Sequence, residues 1–281
     1  MSGARRVVTA LLMAATSGCV QPDTAPDTPA AIEFEPFAWP SVVQGDVLRN
    51  ERGDSVPLRA IVRNVSGETL ADVPVRFLVP DSANRRRVRV DSLRGFVRGD
   101  SITVQPIRVI ARASDELQAV SPAQGRPDGG IVVVPRPTRL QRSAGRTADT
   151  LIVAPTIDRD TTVGSITGNL SPNLPVILAN TDSATARPVQ RWIVRYAITR
   201  PANPTNDTTQ TYFLVNRDGN PRRSSTEDTT DTQGEAGRAL RARGTRVAAA
   251  VETVTVEARA TYRGQPVTGS PFRFQVLVRR P

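Results

Sequence analysis

Beyond its first twenty residues, no window of a dozen positions in this chain keeps a clean 3.6-residue hydrophobic period, so helices do not supply its core. What repeats instead is a period of two. Val56, Leu58, Ala60 and Val62 fall on one face with Arg59 and Arg63 opposite, and Ser66-Gly67-Glu68 turns the chain. Val73, Val75, Phe77 and Val79 make the next apolar face, and Val88 and Val90 alternate with arginines. Ile107, Val109, Ala111 and Ala113 alternate once more before Ile131 to Val134. Proline stands at strand starts and in loops (Pro57, Pro74, Pro106), where its missing N–H does least harm. Short strands with regular turns predict an all-β fold of antiparallel sandwiches or barrels.

The pattern runs twice. A length of 281 residues suits about two domains, and a Pro/Arg/Thr/Ser/Gly-rich stretch from Pro135 to Ala148 separates two series of alternating segments. The predicted organisation is a first domain at 32–138, a linker at 139–148 and a second domain at 149–281. The series echo each other. Ile107-Arg-Val-Ile-Ala-Arg-Ala-Ser matches Val254-Thr-Val-Glu-Ala-Arg-Ala-Thr, with Gln118 and Gln265 each four residues further on. Val56-Pro-Leu-x-Ala echoes Leu174-Pro-Val-x-Leu, and Val73-Pro-Val-Arg-Phe-Leu-Val echoes the segment from Arg187 to Val194. The placement of proline and the Ala-Arg-Ala step go beyond the alternation that any two strands share.

Residues 1–18 have the order of an export signal: the cations Arg5 and Arg6, the apolar run Val7 to Ala15, then Thr16-Ser17-Gly18. The run is shorter than the roughly 20 residues a membrane-spanning helix needs. Cys19 follows at once, and Thr-Ser-Gly-Cys resembles the bacterial lipoprotein lipobox, departing from it at Thr16 where leucine is usual. That resemblance implies cleavage before Cys19, acylation of the cysteine, and a place in the outer membrane; simple secretion to the periplasm is the alternative. Residues 19–31, rich in Pro, Asp, Thr and Ala, make the lipidated cysteine and its flexible tether.

Composition removes whole classes of chemistry. All 37 cations are arginine, histidine is absent, and Cys19 is the lone cysteine. Ser/His or Cys/His nucleophile pairs, imidazole metal sites, lysine Schiff bases, an internal disulfide and thiolate zinc clusters are all excluded. No cofactor is expected. Asp228, Asp231 and Glu235, with Asp218 upstream, are weak oxygen ligands for Ca²⁺, but they lack the EF-hand spacing and suit a turn better. Glycosidase or aspartic-protease chemistry needs two carboxylates held close, and no Asp-Thr-Gly triplet occurs. The excess of cations attracts polyanions. Its densest cluster, Arg85, Arg86, Arg87 and Arg89, is the candidate polyanion contact, whether for lipopolysaccharide, anionic lipid or a surface glycan, against the plainer reading of arginine as a solvated cation. No aromatic stands beside that cluster, so nucleic acid has no stacking platform. Trp39, Trp192, Tyr196 and Phe213 read as packing residues.

The strand–turn–strand at 56–79 resembles the bacterial immunoglobulin-like domains of surface and invasin-type proteins. Asp231-Thr-Gln-Gly-Glu-Ala is similar to that family's turn, and Ala260-Thr-Tyr-Arg-Gly-Gln-Pro-Val to the last hairpin of filamin-type repeats. The resemblance implies two tandem antiparallel sandwiches without the antibody disulfide, and work that spaces, presents or binds rather than catalyses. The expected protein is a lipid-anchored, non-catalytic envelope module, partnered by the membrane through its lipid and by an anionic glycan or a protein. The rivals are a structural subunit of a periplasmic or outer-membrane complex and, less favoured, a carboxylate-dependent envelope hydrolase.

Overall fold

The structure, a computed structural model, describes residues 28–121, 129–143, 149–153, 169–202, 210–216 and 226–280. The export signal, Cys19, most of the tether and Asp218 lie outside the described residues. Within them the protein is all-β, its only helical turns being short 3-10 segments at Asn84–Arg86 and Gly244–Arg246.

The first half contains β1 (Pro29–Phe34), β2 (Ser41–Val43), β3 (Ala60–Asn64), β4 (Arg76–Leu78), β5 (Val88–Val90), β6 (Val97–Gly99), β7 (Ile110–Arg112), β8 (Gln118–Val120) and β9 (Val132–Val134). β1 pairs antiparallel with β3, and β4, β7 and β8 form an antiparallel sheet. β5 and β6 make a hairpin, and β2 lies parallel to β9. The alternating residues face inward: Phe77, Val79, Ile107, Val109 and Ala111 are buried with the whole of Ile131 to Val134.

The second half opens with β10 (Arg139–Arg142), β11 (Asp149–Ile152), β12 (Leu174–Asn180), β13 (Arg187–Pro188) and β14 (Ile193–Arg200). It continues with β15 (Tyr212–Val215), β16 (Glu227–Thr229), β17 (Glu235–Ala242), β18 (Val251–Arg259), β19 (Thr261–Tyr262), β20 (Gln265–Pro266) and β21 (Phe272–Arg279). Two sheets, β10-β12-β17-β15 and β11-β21-β18-β14-β16, face each other. Between them lie Leu174, Val176, Tyr196, Leu214, Leu240, Val256 and Phe274, all buried. Tyr196 ties the layers polar-end first, its hydroxyl donating to the Ala236 carbonyl at 2.9 Å. This is an antiparallel sandwich with one parallel edge.

The two halves share a plan. In each, the opening segment crosses between sheets: β1 pairs antiparallel with β3 before β2 joins β9 in parallel, and β10 pairs antiparallel with β12 before β11 joins β21 in parallel. The Ile107 and Val254 segments fall on corresponding strands, β7 and β18, since β7 pairs with β4 as β18 pairs with β14. Among the described residues, no β ladder joins a residue up to 134 with one from 139 onward.

Two boundaries move. The tether expected to run to residue 31 gives way to a strand at Pro29, because the β3 edge offers Ala31 and Ile32 backbone partners in Arg63 and Val62. Likewise Arg139–Arg142, read as linker, is a strand: its backbone pairs with Val176 to Ala179, and Leu140 is 1% exposed. Composition missed both because exposed Pro, Arg and Gln accompany only one or two buried side chains in each.

Among the described residues one turn design occurs three times. In Asn50-Glu-Arg-Gly-Asp, Asn64-Val-Ser-Gly-Glu and Asp231-Thr-Gln-Gly-Glu, the glycine N–H returns to the first residue's carbonyl. The first side chain's Oδ1 accepts the N–H of the fifth residue, at 2.9 Å in all three. Gly53, Gly67 and Gly234 take φ of +92°, +82° and +75°, the left-handed step that closes a hairpin on a type I turn. Asp231→Ala removes the acceptor of both the Gln233 and Glu235 N–H groups and should cost about 1–2 kcal/mol in chemical denaturation. Gly234→Ala should cost more, since a methyl there stands 2.5 Å from the Leu178 carbonyl oxygen. Equal stability of Gly234→Ala and the parent would contradict this account of the turn.

Candidate functional site

The densest polar construction joins the two halves at Asp46. A tight turn places it: the Asp46 N–H returns to the Val43 carbonyl, and Gly45, at φ +78°, lets the chain reverse. The carboxylate is 7% exposed and accepts five hydrogen bonds. The Val47 N–H and Arg49 Nη2 donate to Oδ1 at 2.8 and 2.9 Å, and Arg49 Nε to Oδ2 at 2.9 Å. From the second half, the Tyr262 hydroxyl and Arg263 Nε reach the same Oδ2 at 2.8 and 3.0 Å.

Tyr262 and Arg263 arrive on the β19–β20 hairpin. Its two-residue loop, Arg263-Gly264, has φ of +51° and +73°, the doubly left-handed turn that favours Asn-Gly. Arginine there is strained, and the strain sits where the guanidinium is used. The loop also interlocks with the Asn50 to Asp54 turn of the first half. A Cβ on Gly53 would stand 2.4 Å from the Arg263 carbonyl carbon, and one on Gly264 would stand 2.4 Å from the Arg52 oxygen. Each turn therefore needs glycine because the other turn's backbone occupies the space.

Apolar contacts back the clamp. Trp39 meets Trp192 edge-on at 5.3 Å between ring centres, and Trp192 meets Tyr262 at 6.2 Å. Trp192 Nε1 donates to the Thr261 carbonyl. Around the rim, the Ser41 hydroxyl donates to the Arg191 carbonyl, Gln190 Nε2 to that of Thr103, and Arg195 pairs with Glu51 at 2.7 Å. A cavity of about 20 Å³ lies among Trp39, Ser41, Asp46, Trp192 and Tyr262, enough for one water. The buried Trp39 Nε1 has no hydrogen-bond acceptor among the described residues.

The electrostatics suit holding rather than reacting. Burial opposes the charge on Asp46 most strongly, yet the bonds from Arg49, Arg263, Tyr262 and Val47 together hold its carboxyl well below the usual carboxylate range. Burial, with the bond to Asp46, pushes the Tyr262 hydroxyl up to about 12. A carboxylate so saturated is a poor base, and a phenol so raised stays protonated near neutrality.

The residues singled out by sequence lie elsewhere. Asp228 Oδ1 accepts from the Thr229 N–H and pairs with Arg238, and its Oδ2 accepts the Gly237 N–H. Asp231 closes its hairpin, and Glu235 Oε2 accepts from the Ser143 hydroxyl. Among the described residues no group of three or more acids or cysteines is placed to hold a metal ion. Arg85, Arg86, Arg87 and Arg89 are exposed around the 3-10 turn and the start of β5. Trp39, Trp192 and Tyr196 are buried, while Phe213 is half-buried under the Arg243 guanidinium at 4.6 Å. Sequence reasoning missed the junction. Its local marks were the turn pairs Gly45-Asp46, Arg52-Gly53 and Arg263-Gly264, and nothing local says that two of these turns meet.

No family model matches the chain, and neither does any curated protein. Among solved structures, the D0-D1 domain of intimin aligns with 89% of this chain and 98% of its own, at 14% identity and a TM-score of 0.27. Domains 1-6 of the surface layer protein SbsC align over 90% of this chain and 29% of that one, at 13% identity and 0.29. Drosophila N-cadherin EC1-4 covers 92% of this chain and 51% of its own length, at 12% and 0.29. Scores this low do not define a common arrangement, so the fold rests on the strands themselves.

Asp46→Asn leaves the Arg49 and Arg263 guanidinium groups without their shared anion and should destabilise the whole chain by about 2–4 kcal/mol. Because the folded carboxyl titrates below its unfolded value of about 3.9, its stabilisation is complete above that pH and fades as pH falls below it. Thermal melts from pH 6 to pH 2 should therefore decline less steeply for Asp46→Asn than for the parent. Parallel declines would contradict the assignment.

Proposed function

We propose that the chain is a lipid-anchored bacterial cell-envelope protein in which two immunoglobulin-like sandwich units, meeting at about residues 134–139, act as a non-catalytic binding or spacer module. One observation carries the reading: the interlocked glycine turns and the shared Asp46 carboxylate fix one unit against the other. A spacer is useful when its two ends keep a set separation, and here a strained arginine and two position-dependent glycines are committed to that end. The buried acids support the absence of catalysis. Asp46 is held by Arg49 and Arg263, and Glu257 by Arg259 and Arg273. Attachment rests on the lipobox-like Thr-Ser-Gly-Cys at residues 16–19, whose acyl chains would contribute about 0.8 kcal/mol per buried CH₂.

The spacer reading is tested by small-angle scattering on the parent and on Tyr262→Ser with Arg263→Gly. Glycine keeps the left-handed turn while the two changes remove the clamp. The parent should scatter as one fixed arrangement; the double variant should keep its β circular dichroism and show a larger radius of gyration. A parent that scatters as two freely oriented bodies would sink the spacer reading.

Attachment is tested separately. In a bacterial host, Cys19→Ala should abolish palmitate labelling and release protein whose melt matches the parent's. A parent that takes up no label and is soluble in the periplasm reduces the protein to a secreted one.

A further inference from the structure

The arginine cluster divides into two pairs with different fates. Arg85 Nε donates to the Val79 carbonyl at 2.8 Å, and Arg89 pairs with Asp100 through two bonds. Asp100 also draws in Arg98 at 3.6 Å, so the carboxylate at this end of the β5–β6 hairpin is shared between those two arginines. Its acid is held below the usual range by Arg89 first. Asp81 caps the preceding turn, accepting from the Ala83 N–H and the Asn84 amide. Arg86 and Arg87 are left over: both are exposed, and neither has a side-chain hydrogen bond or carboxylate partner among the described residues.

These two arginines flank an open concavity of about 720 Å³, lined with them by Ser82, Ala83, Ser101 and Ile102. The backbone sets its shape. Arg87 accepts the N–H groups of Asp100 and Ser101 at 2.8 and 3.3 Å, closing the open end of the hairpin against the 3-10 turn. Two forked cations and two hydroxyl groups around this open depression match a bidentate oxyanion such as sulfate or phosphate on a larger molecule. Only Ala83 and Ile102 are apolar in its lining, which gives little to insert into lipid.

We infer that this concavity binds the sulfate or phosphate groups of an anionic glycan, with Arg86 and Arg87 as the anion contacts and Ser82 and Ser101 as supporting donors. The inference rests on the binding-module reading but uses neither the junction nor the anchor. The test therefore uses the full chain carrying Cys19→Ala, with a fluorescent dextran sulfate oligomer as probe. Arg86→Ala with Arg87→Ala should weaken binding about tenfold or more, the loss of roughly one charge-assisted contact or greater. Circular dichroism should be unchanged, because neither guanidinium supports the fold.

The control is Arg94→Ala with Arg187→Ala, two exposed arginines elsewhere, which removes the same charge and should change affinity less than twofold. Equal loss in both double variants would mean that the field of the whole chain, not this hollow, binds the probe, and would overturn the proposal. So would a parent that ignores dextran sulfate but binds phosphatidylglycerol vesicles through Arg86 and Arg87, which would make the ligand a lipid headgroup.

Discussion

A buried carboxylate sits at the centre of the contacts that join the two halves. Asp46 accepts from its own turn, from Arg49 and from two residues more than 200 positions away. Burying one charge is unfavourable unless its lone pairs are filled, and here three fixed donors and a forked guanidinium fill them. The dependence runs outward from that point. Tyr262 and Arg263 reach Asp46 only from the left-handed β19–β20 turn, which fits only because Gly53 leaves room for it. The Trp39–Trp192 contact then covers the polar cluster with apolar surface. Removing the carboxylate would leave Arg49 and Arg263 without the anion they share across the junction.

The fold was largely legible in the sequence because sandwich strands carry their burial in a two-residue code. Val75, Phe77 and Val79 alternate in the sequence and pack on the core in the structure, as do Ile107, Val109 and Ala111. The Asp231 turn was legible too, since aspartate, glycine and the residues between them determine a local hydrogen-bond pattern. What escaped was whatever depended on a distant partner. Arg139–Arg142 has the composition of a linker and becomes a strand only because β12 offers its edge. Pro29 to Ala31 joins β1 for the same reason. The junction is the extreme case: Asp46, Gly53 and Arg263 are ordinary turn residues until the chain brings the turns together.

Arginine serves three separate purposes that composition alone merges. At Arg49, Arg263, Arg259 and Arg273 it neutralises a buried acid, Arg49 with both prongs of its planar fork and the others through one nitrogen each. At Arg142 and Arg243 it lies over the rings of Phe274 and Phe213 at 5.3 and 4.6 Å, an arrangement favoured by the ring quadrupole. At Arg86 and Arg87 it is solvated and uncommitted. The excess positive charge is thus less evenly spread than the sequence suggests, because many of the cations are spent internally.

The crossing of each opening segment between sheets has a mechanical consequence. β2 runs parallel to β9 over Ser41–Val43 and Val132–Val134, and β11 runs parallel to β21 over Asp149–Ile152 and Val276–Arg279. Tension applied between the two ends of either half drags such a pair lengthwise, one strand past the other. The interstrand bonds are then loaded together, whereas an antiparallel hairpin pulled from its open end gives way one bond at a time. A chain held at its N-terminus and tugged at its far end meets this arrangement twice in series, so resistance to force is built into the same strands that close each half.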